Sequence, residues 1–209
     1  MNRTARGIGS REALIEALAT GTRVEYLRFF KPRPLPDGRI GASCLSQWWP
    51  SPFTVDGVEY ATAEHWMMAA KARLFDDPEG ERRVLAAEHP AQAQKAGRLV
   101  RGFDETLWRR ERFGIVLEGS VHKFAAHADL RDFLLRTGER SERGVSPAEG
   151  RGRVLVEASP VDRVWGIGLA ADAEGATDPA RWRGSNLLGF ALMEARARLR
   201  ARASGTSVR

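Results

Sequence analysis

From Thr62 to Gly138 the chain carries one helix signal after another, and this run limits the fold more than any other feature of the sequence. Apolar residues recur at helical spacing, and Thr62, Pro78, Pro90 and Asp104 stand where helices begin. These signals predict helices over 62–75, 78–88, 90–99, 104–127 and 128–137, with a weak point at Gly114 or Gly119 and a stop at Gly138. Upstream, Val24 to Phe30 alternates and is rich in aromatic and β-branched residues, which predicts a strand before a Pro/Gly-rich loop over 31–41. Asp56-Gly57 supplies the positive φ angles of a two-residue turn, so Thr54 to Tyr60 reads as a hairpin and the sheet is small. Residues 139–153 hold Gly, Ser, Pro and charge without periodicity and read as a surface insertion before a short strand, Val154 to Glu157. An irregular stretch follows to Gly184, after which Ser185 is placed to cap a last helix whose core stripe is Leu188, Ala191, Leu192, Ala195 and Leu199. The expectation is an α+β fold, a compact helix-dominated single domain over 23–202 with a small β-sheet. It is flanked by a variable N-terminal extension, 1–22, with a helix at Arg11–Ala19 closed by Gly21, and by a C-terminal tail, 203–209.

Composition narrows the function classes. A chain of 209 residues can bury about 70% of its unfolded surface without covalent staples. The single cysteine, Cys44, cannot pair within the chain, which excludes a disulfide framework or multi-cysteine metal site and points to a reducing compartment. There is no run of eighteen apolar residues and no signal-peptide core, so the expectation is a cytoplasmic protein with no membrane partner. Lys and Arg number 33 against 27 Asp and Glu, a net charge of +6 that favours phosphate-bearing partners, although much of the surplus lies at the two ends. Only Lys31, Lys71, Lys95 and Lys123 are lysines. An amine can lose its proton and act as a nucleophile, which a guanidinium cannot, so each of these lysines is a candidate for chemistry.

Two segments hold chemistry-bearing residues. In Thr62-Ala63-Glu64-His65-Trp66, a Thr62 cap places Glu64 in the first helical turn, where the macrodipole favours an ionised carboxylate. Lys71 follows two turns later on the same face, about 10 Å along the axis. A structural alternative makes Glu64 a helix-end complement and Lys71 a solvated charge. His65 lacks the second histidine four residues on that a zinc protease motif needs, because position 69 is alanine, and no metal site is expected. The second segment, Glu157 to Gly168, delivers an acid, Asp162, an indole, Trp165, and glycines from the end of a strand, a composition suited to a pocket. Gly166 to Ala171 matches a dinucleotide fingerprint, but no crossover helix follows, so that match carries no weight. Trp48, Trp49, Trp66, Trp108, Trp165 and Trp182 add faces on which a base can stack, with Trp66 and Trp182 the best candidates for core packing instead.

Ser46-Gln47-Trp48-Trp49-Pro50-Ser51-Pro52-Phe53, Ala63-Glu64-His65-Trp66 with Lys71, Ala96-Gly97-Arg98, Lys123-Phe124, Val154 to Ala158 with Asp162 and Trp165-Gly166-Ile167-Gly168, and Asn186-Leu187-Leu188-Gly189 with Leu192-Met193 occur in this order. Together they resemble the NADAR family, whose name refers to NAD and ADP-ribose. The resemblance covers about Val24 to Leu199. It implies a helical fold with a small sheet and metal-independent, cofactor-free hydrolysis of N-glycosidic bonds. Two substrate classes come with it: ADP-ribose on guanine bases of DNA, sometimes beside a guanine ADP-ribosyltransferase toxin, and the phosphoribosylamino-pyrimidines of riboflavin biosynthesis. Carried over by position, Glu64, Lys71 and Asp162 are the expected catalytic residues. Ser46, Trp48, Arg98, Trp108, Trp165, Gly166 and Asn186 are expected to bind substrate. After Phe29-Phe30 this chain has Lys31-Pro32-Arg33 where the family often continues with an aromatic residue and a Gly-His pair.

The expected chemistry has Glu64 and Asp162 flanking the anomeric carbon, one steadying positive charge or activating water and the other assisting the leaving nitrogen. An alternative has the Lys71 amine attack C1 and form a Schiff base. Arg98 and Lys95 are candidate phosphate contacts. A different class of function, an ADP-ribose-binding module without catalysis, accounts for the same pocket composition.

Overall fold

A computed structural model describes residues 8–139 and 152–205 of the chain. The helix signals read from the sequence are met by side chains at the predicted starts. Thr62 accepts the His65 N–H and opens α2 (Ala63–Leu74), and Asp77 accepts the Gly80 N–H at 3.0 Å and opens α3 (Pro78–Leu85). His89 and Gln92 cap α4 (Pro90–Arg98) reciprocally, and Asp104 accepts the Leu107 N–H to open α5 (Glu105–Ala126). Helix α6 (Ala128–Arg136) follows directly, because His127 adopts an extended backbone between the two. The N-terminal α1 spans Arg11–Ala19, as expected.

Three details depart from the sequence expectation. Helix α3 stops at Leu85, three residues short of Glu88, because the N–H groups of Glu88 and His89 are taken by the Gln92 side chain of the next helix. Helix α5 is continuous through Gly114 and Gly119. At Gly119 a Cβ would overlap the Trp66 ring, so that glycine serves close packing rather than a break. The last helix, α7 (Leu187–Ala203), is not capped by Ser185: its N-cap is Asn186, in a left-handed conformation at φ 52°, whose side chain turns away from the helix. The expected insertion over 139–153 falls, for 140–151, outside the described residues.

The strands form two separate pairs. Strand β1 (Tyr26–Phe29) lies parallel to β4 (Val154–Glu157) with Phe29 opposite Glu157, and β2 (Phe53–Val55) pairs antiparallel with β3 (Val58–Tyr60) through the Asp56-Gly57 turn. Parallel neighbours need a long crossover, and here it consists of the hairpin and α2 to α6. Helix α2 is enclosed by α3, α4 and α5, with Ala63 to Ala69 and Ala72 all buried. Trp66 and Trp182 pack in the core as expected, with their indole N–H groups donating to Ile115 O at 2.8 Å and Ala176 O at 3.1 Å. No helix among the described residues is long and apolar enough to cross a membrane.

The join between β4 and α7 sets one side of the site. Asn186 is fully buried; its Nδ2 donates to Leu155 O and its Oδ1 accepts the Glu157 N–H, both at 2.9 Å. The free N–H groups at the start of α7 donate to the loop after β4, Leu187 to Val164 O and Leu188 to Trp165 O. Replacing Asn186 by alanine orphans the buried carbonyl of Leu155 and the part-buried N–H of Glu157 and leaves an alanine at positive φ. The expected cost is about 2–4 kcal/mol, read as a fall in the urea midpoint at unchanged slope.

Candidate active site

Helix α2 brings Glu64 and Lys71 to one cavity of about 390 Å³. Its wall also contains Ser46 and Trp48 from the segment before the hairpin, Arg98 from α4, Trp108 from α5, and Asp162 and Trp165 from the loop after β4. These are eight of the ten residues selected from the sequence. The other two, Gly166 and Asn186, do not line it. Gly166 is pressed against Glu157 O and the Ser159 side chain, and its carbonyl accepts the Asn186 N–H, so both residues fold the loop that presents Asp162 and Trp165. Lys95 is exposed on α4 and is not part of the wall.

Glu64 shows the largest departure from expectation. The helix dipole favours its ionised form by about 0.3–1 kcal/mol. Burial works the other way: the residue is 2% exposed, and desolvation pushes its pKa up to about 7 against the opposing hydrogen bonds of Trp48 and Gln94. The displacement from 4.5 corresponds to about 3 kcal/mol, so burial wins. One carboxyl oxygen, Oε1, is buried without a hydrogen-bond partner. Asp162 is held differently. Its Oδ1 accepts the N–H of Val164 at 2.8 Å and of Trp165 at 2.7 Å, which orients it.

Lys71 donates to Gly97 O at 2.9 Å, and its ammonium stands 4.2 Å from the Phe103 ring centroid and 5.5 Å from that of Trp108. Burial lowers its pKa, which brings the neutral amine closer to reach. Phe103 is carried to this position by the segment after α4, which is fastened where Arg101 donates to the buried carboxylate of Asp77 through its backbone N–H at 3.0 Å and its guanidinium at 2.8 Å. Lys123, another of the four lysines, is fully buried, and desolvation pulls its pKa down to about 7. Its amine donates to Cys44 O at 2.7 Å and Ser46 O at 2.8 Å, so it pins the segment that leads to Trp48. His65 has both ring nitrogens occupied, by Thr62 Oγ1 at 2.8 Å and Ala87 O at 3.0 Å.

Several wall residues were not selected from the sequence: Gln47, Gln94, Phe103, Glu105, Arg112 and Glu157. For α5 the signal was present, since Glu105, Trp108 and Arg112 fall at helical spacing on one face. Glu157 was visible only as the end of a strand. It is half-buried, and desolvation together with the charges of Asp162 and Glu64 pushes its pKa up to about 8. A larger hollow of about 860 Å³ lies between Ile8, β4 and α7, but no tryptophan lines it, its only carboxyl is Glu194, and it borders residues outside those described. The smaller cavity is the one with chemistry: two carboxyls whose pKa is raised toward or past neutrality, Glu64 and Glu157, a third, Asp162, oriented by backbone N–H groups, and three indoles.

A family model described as NADAR domain matches residues 29–200. A protein of Acanthamoeba polyphaga mimivirus named as an N-glycosidase is 37% identical over 163 residues, covering 76% of this chain and 88% of the relative. A maize protein named riboflavin biosynthesis protein PYRR, chloroplastic, is 28% identical over 151 residues, 69% of this chain and 20% of that protein. The NMR structure of the Escherichia coli protein YbiA superposes with a TM-score of 0.62 at 24% identity, over 89% of this chain and 91% of that one, and shows the same fold.

The raised carboxyls fix the sign of a pH effect. Below about pH 4.5 Glu64 and Glu157 are protonated in folded and unfolded chains alike, and neither costs stability. As pH rises through 4.5 toward 7 and 8 the unfolded chain ionises first, so the folded state loses ground. Glu64→Gln is therefore expected to melt at the wild-type temperature at pH 4 and above it at pH 8.5. The expected gain in a calorimetric scan is about 2–4 °C for each kcal/mol relieved.

Proposed function

The chain belongs to the NADAR domain family, and on that premise we propose that it is an N-glycosidase that hydrolyses the bond between ribose C1 and an amino nitrogen, with ADP-ribose on a guanine base of nucleic acid as its substrate. The observation that carries this reading is a single cavity that gathers carboxyl groups in different protonation environments among three indoles. Hydrolysis at C1 passes through an oxocarbenium-like state, which needs negative charge beside the sugar and a base for water. Asp162, oriented by two backbone N–H groups, supplies the charge. Glu64, with a pKa near neutrality, takes the proton from water. Trp48, Trp108 and Trp165 give the purine rings faces to stack on, and Ser46, Arg98, Arg112 and Lys71 offer donors for ribose and phosphate oxygens.

Two other readings have a specific observation behind them. The maize relative is named for riboflavin biosynthesis, which favours the second substrate class that the family resemblance implies, a phosphoribosylamino-pyrimidine, at the same site. The depressed pKa of Lys71 supports a covalent route in which the amine attacks C1, the base departs with its bonding electrons, the sugar opens to an imine, and water then releases it.

Incubation with an oligonucleotide bearing ADP-ribosylated guanine, and separately with early riboflavin intermediates, followed by chromatography, distinguishes the substrates. Release of free ADP-ribose is expected, with Glu64→Gln slower by about 10²–10⁴-fold. Unaltered substrate after long incubation, with binding retained, makes the protein an ADP-ribose-binding module instead. Borohydride added during turnover is expected to leave Lys71 unmodified by the water route; a reduced sugar adduct on Lys71 replaces that route with the imine.

A further inference from the structure

We propose that Glu157, rather than Asp162, is the catalytic acid that protonates the departing nitrogen. This rests on the glycosidase reading above and assigns a role within the same site. An amine leaving group must gain a proton as its bond to C1 breaks, so the cavity needs a carboxylic acid that can reach the nitrogen and has not already committed its oxygens. Asp162 meets that need less well, because its Oδ1 is held by two backbone N–H donors, of Val164 and Trp165, which leave it only one oxygen to offer. Among the described residues, only Glu64 and Glu157 have a buried carboxyl oxygen without a partner, Oε1 and Oε2 respectively, and both line the cavity. The backbone of Glu157 is tied on both sides: its N–H donates to Asn186 Oδ1 at 2.9 Å and its carbonyl accepts the Ile167 N–H at 2.9 Å. These bonds fix the strand end from which the Glu157 side chain reaches the cavity wall. The loss of water, and then the charges of Asp162 and Glu64, favour the acid form of Glu157.

The step closes on itself. The C1–N bond breaks with its electron pair passing to nitrogen, and the Glu157 carboxyl gives its proton to that nitrogen. Water adds its oxygen to C1 and gives a proton to the Glu64 carboxylate. Glu157 is then the anion and Glu64 the acid, and transfer of one proton between these neighbouring groups restores the starting state. One water is consumed; a free amino group and a ribose hydroxyl are formed.

The test compares two leaving groups in wild type, Glu157→Gln and Glu64→Gln. An N-ribosyl amine needs a proton to leave, whereas an N-ribosylpyridinium departs as a neutral base without one. With Glu157→Gln we expect kcat on the amine to fall about 10²–10⁴-fold at little change in KM, with the pyridinium cleaved at nearly the wild-type rate. Glu64→Gln is expected to slow both. Equal losses on both substrates in Glu157→Gln overturn the assignment while leaving the glycosidase reading intact. Wild-type protein that cleaves neither compound overturns both. If the pocket admits only the amine, the pH profile of kcat decides: the alkaline limb, expected near pH 8 in wild type, is lost in Glu157→Gln if this residue is the acid. Its persistence in the residual activity of the variant overturns the assignment.

Discussion

Everything in this site follows from keeping α2 out of water. Three helices close around it, and a carboxyl on its first turn is enclosed with the alanines and methionines that justify the burial. Apolar packing along the helix stabilises by about 0.8 kcal/mol per buried methylene, enough in total to hold one unfavourable group in place. The same desolvation that makes Glu64 costly makes it useful, because a carboxyl poised near neutral pH can exchange a proton where an exposed one stays ionised. Stability and reactivity at this position are opposite faces of one term.

The other half of the site hangs from a backbone join. Asn186 spends both ends of its amide on β4, and α7 offers its first N–H groups to the loop between Asp162 and Gly166. A helix end normally needs a side-chain cap; here the loop carbonyls do that work, so the loop that carries the acid and the indole cannot move without unsatisfying the helix. Arg101 and Asp77 do the same for Phe103, and Lys123 for Ser46 and Trp48. These three parts of the wall are thus held by polar contacts made to buried groups. Such contacts add modest net stability but leave few alternative arrangements.

Local signals carried most of the fold. Thr62 and Asp104 cap their helices, Pro78 and Pro90 stand in the first turns of theirs, and Asp56-Gly57 turns its hairpin unaided, so these elements could be read in chain order, while the Asp77 and His89–Gln92 caps emerged only in the structure. Glu64, Lys71, Asp162 and Trp165 were legible because their motifs occur in sequence order in a known family and because helical spacing places the first two on one face. Glu157 and Arg112 were not singled out. A glutamate ending a strand and an arginine on a long charged helix look like solvated surface until other elements cover them.

The sequence by itself determined which segments are helical, which carboxylates and indoles are available, and the family to which the chain belongs. Only the tertiary structure decided which of those groups share a cavity and what state each is in. Capping and periodicity act over three or four residues, whereas the proton affinity of a carboxyl depends on solvent exclusion and on charges brought from distant parts of the chain. Glu64, Glu157 and Asp162 become neighbours only when α2, β4 and the loop before α7 have packed.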